Sequence, residues 1–505
     1  MYIGGHAEDT PDRLAVVMTG SGETLDYAML FAESNRVARY LHAAGLRPGD
    51  VIAVYAENHL RFLVAAWAGL NSGLLVTTVS SALTVPEARH IVTDSGAKAL
   101  ITTSARSEVA ESLAASAPEV RACLSLDAGF GSCDGFDQLA SLSGDRLEFE
   151  RRGNFMLYSS GTTGRPKGVR FPLPDTPARD GDVPLVPTVT GMYGATSESV
   201  YLSTAPLHHA APVRVACAVQ CIGAPVLIME RFDPLQALRT IERYRVTTGQ
   251  WVPTMFTRML KLPRDVRNSF DVSSLRTAVH GAASCPVEVK RQMIDWWGPI
   301  LTEYYGSSEG YGGTMVTAEE WLKHPGTVGR PSYAAPHICD RDGAEVPSGE
   351  TGLIYFDHPN STFQYHNDPD KTQSISHPQH PTWRTLGDIG HIDDDGYLYI
   401  TDRENYLIVS GGVNIYPQEV ENVLLSHPAV AEAAVIGVND HEYGQIVKAL
   451  VQPVSWPDGT DAYLETLRDW CGESLAKYKI PRVFELTHEL PRQDNGKLYK
   501  NRIAT

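Results

Sequence analysis

Short β-rich runs alternate with amphipathic stretches of helical period along most of the chain, and this rhythm narrows the fold more than any other feature. Val51–Tyr55 (VIAVY), residues 99–102 (ALIT), residues 226–229 (VLIM) and Thr277–His280 (TAVH) read as strands. Between such runs, residues 27–44 and Pro234–Tyr244 carry apolar residues near helical spacing, and Gly45 suits the stop of the first helix. Strands alternating with helices predict an α/β architecture with parallel sheet. The 505 residues exceed what one core usually supports, so two or more domains are expected.

The texture changes after Arg403. A helix is predicted to begin near Pro417, which suits a first helical turn, with Val420, Val423 and Leu424 on one face. Strands at 433–438 and 447–452, a helix at 461–475 and the strand Val483–Leu486 follow, a compact α+β unit of about one hundred residues. The expected domains are therefore 1–403 and 404–505. Residues 171–187 hold five prolines among Asp and Gly and read as a mobile excursion. Residues 345–355 and 397–401 read as short strands. There are no internal repeats.

A formal charge of −17 argues against a nucleic-acid partner and against a polybasic membrane anchor. It permits an anionic small molecule, because a few placed cations and backbone N–H groups hold a phosphate locally. The seven cysteines stand singly, with no zinc spacing, so reduced thiols are expected. No basic segment followed by an apolar run opens the chain, and the longest apolar stretches, 62–70 and 430–438, are too short to span a bilayer. A cytoplasmic protein without integral membrane association is the expectation.

The strongest chemical signal is residues 158–168, YSSGTTGRPKG. Gly161, Gly164 and Gly168 permit positive φ and close approach of N–H groups to an anion. Ser159, Ser160, Thr162 and Thr163 add hydroxyl donors, and Lys167 adds a point charge suited to polyphosphate. A Ser/Gly linker seldom follows an apolar run and ends in Pro-Lys-Gly-Val. Gly168 follows Lys167 where a Walker A loop needs Ser or Thr, which removes the main support for a P-loop kinase or GTPase. Elsewhere, Tyr305 offers a stacking face, Ser308 a hydroxyl, Glu309 a hard oxygen ligand for Mg²⁺, and Asp388 an acceptor for two hydroxyls.

This loop resembles the phosphate-binding loop of the adenylate-forming superfamily, which comprises acyl-CoA synthetases, peptide-synthetase adenylation domains and beetle luciferases. Further motifs of that family follow in order over nearly the whole chain: PLHH at 206–209, GAA at 281–283, YGSSEG at 305–310, TLGD at 385–388, TDR at 401–403, SGGVNIYPQEVE at 410–421 and NGK at 495–497. The resemblance implies a large N-terminal domain of stacked mixed sheets with flanking helices, plus a small mobile α+β C-terminal domain. It implies ATP, Mg²⁺ and coenzyme A as cofactors. Nucleotide contacts would come from Ser159, Ser160, Gly161, Thr162, Thr163, Gly164, Lys167, Gly281, Ala282, Ala283, Tyr305, Gly306, Ser307, Ser308, Asp388 and Arg403, and Mg²⁺ would be held by Glu309. Adenine would stack on Tyr305, and Asp388 would take the ribose hydroxyls. Lys497, His209 and Thr163 would be the catalytic set, with Lys497 neutralising charge that grows on the α-phosphate. The C-terminal domain would then turn about Asn405 and bring Gly411 and Gly412 to the pantetheine arm. The family's usual Thr is Ser308 here, its aromatic residue before the histidine is His208, and its charged hinge residue is Asn405.

The acyl pocket is expected among His209, Ala210, Ala211, Val215, Trp251, Val252, Gly281, Gly306, Gly310 and Gly312. These are mostly small or apolar, with no Asp to hold an amino acid's ammonium. They favour a bulky apolar carboxylic acid: medium- or long-chain fatty, steroid side-chain or aryl. An acyl-CoA ligase is the expected activity. The alternatives are an acyl-AMP ligase loading a carrier protein, a non-catalytic nucleotide-binding relative and a luciferase-type oxygenase. Candidate partners beyond the small molecules are a second copy of the chain and a lysine acetyltransferase acting on Lys497.

Overall fold

The computed structural model describes residues 2–159, 166–492, 498 and 500–503. Its backbone is a nine-stranded sheet whose parallel centre runs Leu14–Met18, Val226–Ile228, Tyr201–Ser203, Thr248–Trp251, Thr277–His280 and Leu301–Gly306. Antiparallel strands finish both edges: Thr24–Asp26 on one side, Gly313–Thr317 and Arg330–Pro331 on the other. A second, five-stranded sheet is parallel throughout, in the order Ala122–Ser125, Ala97–Thr102, Val51–Tyr55, Leu75–Val79, Asn154–Phe155.

One helix explains how the two sheets share a core. Phe62–Asn71 is apolar on every side, and each of its residues is buried. A helix of that kind must be covered all round. It shares a single hydrophobic cluster with Val16 and Val226 of the first sheet and Ile52 and Val76 of the second. The indole N–H of Trp67 donates to Gln220 Oε1 at 2.7 Å, which satisfies its one polar atom inside that cluster. The helix Tyr27–Ala43 ends as the sequence predicts, with Gly45 at φ 90°.

A smaller antiparallel sheet joins Ala335–Cys339, Gly352–Asp357, Asp388–Ile392 and Leu398–Arg403. A three-stranded one joins Gln364–Tyr365, Lys167–Arg170 and Leu157–Ser159. Beyond Arg403 lies a separate five-stranded sheet with its own core, in which Val420 and Leu424 of helix Pro417–Leu425 and Leu467 and Cys471 of helix Thr460–Ser474 pack against Val435, Ala449 and Val451. Mixed α/β sheets in a large N-terminal part and an α+β C-terminal part are the architecture anticipated.

Several expectations shift. Strands 433–438 and 447–452 lengthen to Val430–Asp440 and Gly444–Pro453, because the ladder continues past polar residues such as Glu432, Asn439 and Gln445 that interrupt the apolar signal. In 345–355 only Gly352–Asp357 is strand; upstream, Asp340 Oδ1 accepts from the N–H groups of Asp342 and Ala344 and makes a turn. The proline-rich residues 171–187 include the turn Ala178–Asp180 and run into helix Val186–Gly191, with Pro187 in its first turn. The all-thiol expectation is corrected: Cys123 and Cys133 form a disulfide, with Cα atoms 4.4 Å apart. The chain turns back between them, and Asp134 pairs with Leu124 so that the two side chains meet. Cys217, Cys221, Cys285, Cys339 and Cys471 are free. No helix among the described residues is long and apolar enough to cross a membrane.

Candidate active site

A cavity of about 760 Å³ opens at the carboxyl ends of the parallel strands in the large sheet. Ligand sites of α/β sheets form there, because the loops that leave neighbouring strands diverge. Here the strands deliver Ala205, His208 and His209 after Tyr201–Ser203, Trp251 and Val252 at the end of Thr248–Trp251, Ala282 after Thr277–His280, and Gly306 to Glu309 at the end of Leu301–Gly306. Ser159, Lys167, Arg403 and Asn405 line the same cavity from the other elements.

The backbone of this rim is tightly determined. A Cβ on Gly281 would lie 2.7 Å from the carbonyl oxygen of Tyr304 and 2.8 Å from its ring, so only glycine fits. Ala282 beside it takes φ 69°, a costly conformation for a residue with a Cβ. The loop after Tyr201–Ser203 is held by Asn58, which no sequence motif flagged. Its side chain donates to Met229 O at 2.7 Å and accepts from the N–H of Leu207 at 2.7 Å. His209 is the N-cap of helix Ala210–Cys221, and its ring lies 4.4 Å from that of His208, which is buried.

The charged groups are paired across elements. Asp388, 4% exposed, accepts from the phenol of Tyr305 at 2.6 Å and from Arg403 Nε at 2.7 Å. Asp388 holds the Arg403 guanidinium protonated above its ordinary range, and burial, followed by the same carboxylate, pushes the Tyr305 phenol up. Glu309, 3% exposed, accepts from the phenol of Tyr365 at 2.9 Å. Lys167 Nζ lies 2.8 Å from Asp368, and this contact, with the N–H of Lys371, holds the Asp368 carboxyl below its usual value. Asp368 and Tyr365 come from a stretch without a motif, and only their packing identifies them. A phosphate brought to Lys167 would compete with the Asp368 carboxylate for the same cation.

Glu309 suits Mg²⁺, which takes one or two protein carboxylates and completes its sphere with phosphate and water oxygens. No cluster of three or more His, Cys, Asp or Glu among the described residues could hold a metal by protein ligands alone. Ser159 pairs with Lys167 in antiparallel register. The expected contacts at Ser160, Gly161, Thr162, Thr163 and Gly164, and the catalytic Lys497, lie outside the described residues.

Of the expected acyl-pocket residues, His209, Ala210, Ala211, Val215, Trp251, Val252 and Gly306 line the cavity. Trp251 borders it while its ring packs into the core, 5.2 Å from that of Trp297. Gly310 and Gly312 do not line it, a correction. Phe356 stands where a Gly312 side chain would project, and Phe171 lies beside Gly310, so both glycines face the packed core of the smaller sheet. Gly281 and Ala283 also stand back from the wall, leaving Ala282 to represent that strand end. Gly411 and Gly412, at φ 57° and 81°, form the two-residue turn between Ile408–Ser410 and Val413–Ile415, outside the cavity lining.

Known proteins resemble this chain along its whole length. The AMP-binding enzyme family matches residues 5–366, and the AMP-binding enzyme C-terminal domain matches residues 419–497. A feruloyl-CoA synthase from Amycolatopsis is 34% identical over 97% of this chain and 95% of its own length. A 2-succinylbenzoate–CoA ligase from Bacillus licheniformis is 31% identical over 99% of this chain and 98% of its own. The solved o-succinylbenzoate CoA synthetase of Bacillus subtilis, in complex with its acyl-adenylate intermediate, superposes with a TM-score of 0.81 at 28% identity, covering 99% of this chain and 98% of that one. Its chemistry is that of an AMP-forming acid–thiol ligase, with ATP, Mg²⁺ and coenzyme A as cofactors. Matched in both of its parts and nearly end to end, the chain belongs to the AMP-binding enzyme family, within the adenylate-forming superfamily.

Proposed function

We propose that the protein joins an aryl carboxylic acid to coenzyme A. The acid's carboxylate oxygen attacks the α-phosphorus of ATP, the bond to pyrophosphate breaks, and the thiol sulfur of coenzyme A then displaces AMP from the acyl carbon. The observation that carries this reading is one continuous cavity that joins the polar groups Lys167, Glu309 and Arg403 to an apolar chamber edged by Leu185, Met192 and Val215. Two chemically different ligands thereby meet without crossing solvent. The chamber favours a bulky acid over acetate, and the relatives named for feruloyl and succinylbenzoyl groups point to the aryl class.

His209 lines the same cavity and would lie near the reacting carboxylate. Arg403 and Asp388 would fix the ribose and phosphate, and Glu309 would hold Mg²⁺. Lys497 would neutralise the α-phosphate as it becomes five-coordinate. A second reading has one observation behind it: a fatty acid–[acyl-carrier-protein] ligase from Streptomyces coeruleorubidus is 30% identical over 99% of this chain. A panel of fatty, aryl and short acids with ATP and Mg²⁺ tests both. Bulky aryl acids should release pyrophosphate fastest, and AMP should appear when coenzyme A is added. Turnover confined to acetate-sized acids would overturn the acyl assignment. AMP release that needs a carrier protein and ignores coenzyme A would favour the second reading.

A further inference from the structure

Arg214 belongs to helix Ala210–Cys221, whose N-cap is His209, and both residues line the main cavity. At 1.5 Å rise per residue, five positions separate their backbones by about 7.5 Å along the helix, roughly the span of a substituted aromatic ring. A second, smaller cavity of about 50 Å³ lies behind, and the residues lining both are Leu185 and Arg214. Arg214 therefore sits in the partition between the two cavities, on the same cavity wall as Ala210, Ala211 and Val215 of its helix.

No hydrogen bond or ion pair joins Arg214 to any described residue, in a chain with 60 Asp and Glu. The contrast with Arg403 is direct, since that guanidinium is paired with Asp388 at 2.7 Å. The neighbours of Arg214 along its helix, Val213, Val215, Ala216 and Cys217, are buried and apolar. Burial accordingly draws its guanidinium below the ordinary value, opposed only by the phenol of Tyr333, which also lines the cavity. Arg214 itself is half-buried on the cavity wall, and a ligand anion there would give its guanidinium a counter-charge that no described residue supplies. Its planar fork of N–H donors matches a carboxylate in two parallel bonds.

We infer that Arg214 is a specificity-determining residue that binds a second anionic group, best a carboxylate, carried by the acid substrate at the end remote from the reacting carboxylate. This rests on the ligase reading and replaces an apolar acid with an aryl dicarboxylate or an equivalently charged acid. It changes no step of the reaction, only which acids are held.

The test compares 4-carboxycinnamate with its mono-methyl ester at the remote carboxyl, in wild type, Arg214→Met and Arg214→Lys, by pyrophosphate release and CoA-dependent AMP release. Wild type should favour the diacid by about 100-fold in kcat/KM, as expected for a partly desolvated ion pair. In Arg214→Met the diacid should lose about 100-fold and the ester less than tenfold, and Arg214→Lys should restore part of the preference. Thermal melting with and without ATP checks that each variant folds; should Arg214→Met fail to fold, the wild-type preference and Arg214→Lys decide. Equal or better use of the ester by wild type overturns the proposal, as does a uniform loss for both acids in Arg214→Met. CoA-dependent AMP release without anion preference defeats the Arg214 assignment alone, whereas its absence with every acid defeats the ligase reading.

Discussion

At the scale of single residues, the site depends on polar atoms whose partners come from distant parts of the chain. Asp388 is the centre of one such set, taking Tyr305 on one oxygen and Arg403 on the other. Asp388→Asn keeps the shape but removes the charge opposite Arg403. It should raise the KM for ATP at least tenfold and cost about 2 kcal/mol of stability, less than a fully buried pair because Arg403 is partly exposed. Kinetics and denaturant unfolding check both, and an unchanged KM would contradict the role given to Asp388. The motif residues stood out in the sequence because each carries its own chemistry. Their partners were not: Tyr365, Asp368 and Asn58 are ordinary residue types in ordinary stretches, and only folding brings them to Glu309, Lys167 and the His209 loop. Arg214 was equally silent, since an arginine in an apolar helix is informative only once its lack of a carboxylate partner among the described residues is visible.

At the scale of elements, the alternation of strands and helices predicted the parallel sheets, and Val51–Tyr55, Thr277–His280 and Pro234–Tyr244 fall at the expected residues. Sequence pattern did not reveal which sheet each strand joins, because side-chain period is the same in both. The buried helix Phe62–Asn71 read only as a long apolar run, for a helix covered on all sides has no amphipathic face to betray it. Asn58, just before it, ties the helix entrance to the strand-end loop that carries His208 and His209. Asn58→Ala should leave buried donors and acceptors unmatched at Met229 and Leu207 and lower stability by about 1–3 kcal/mol. It should also lower kcat/KM for the acid by about tenfold through the displaced loop. Wild-type kinetics in a stably folded Asn58→Ala protein would show that the loop does not need this tie.

At the scale of the whole molecule, the net charge of −17 is uninformative about substrate, because a few of the 43 Lys and Arg, Lys167, Arg214 and Arg403 among them, line one cavity. A change of texture after Arg403 suggested a division there, and residues beyond it form a hydrophobic cluster of their own. One buried histidine, His280, and three half-buried ones contribute to how this molecule responds to acid. Burial lowers the pKa of His59, His280, His366 and His427, so the unfolded chain binds their protons first. Their contribution to stability is complete above about pH 6.5 and is lost as the pH falls below it. The melting temperature should therefore drop between pH 6.5 and 5, and His280→Gln should flatten that slope; a rise in melting temperature over this interval would contradict the assignment. The most direct test of the central claim is AMP release measured with a bulky aryl acid, ATP and Mg²⁺, before and after coenzyme A is added. Acid-dependent pyrophosphate release followed by AMP release that requires coenzyme A is the expected result; pyrophosphate release with no response to coenzyme A would contradict the ligase activity.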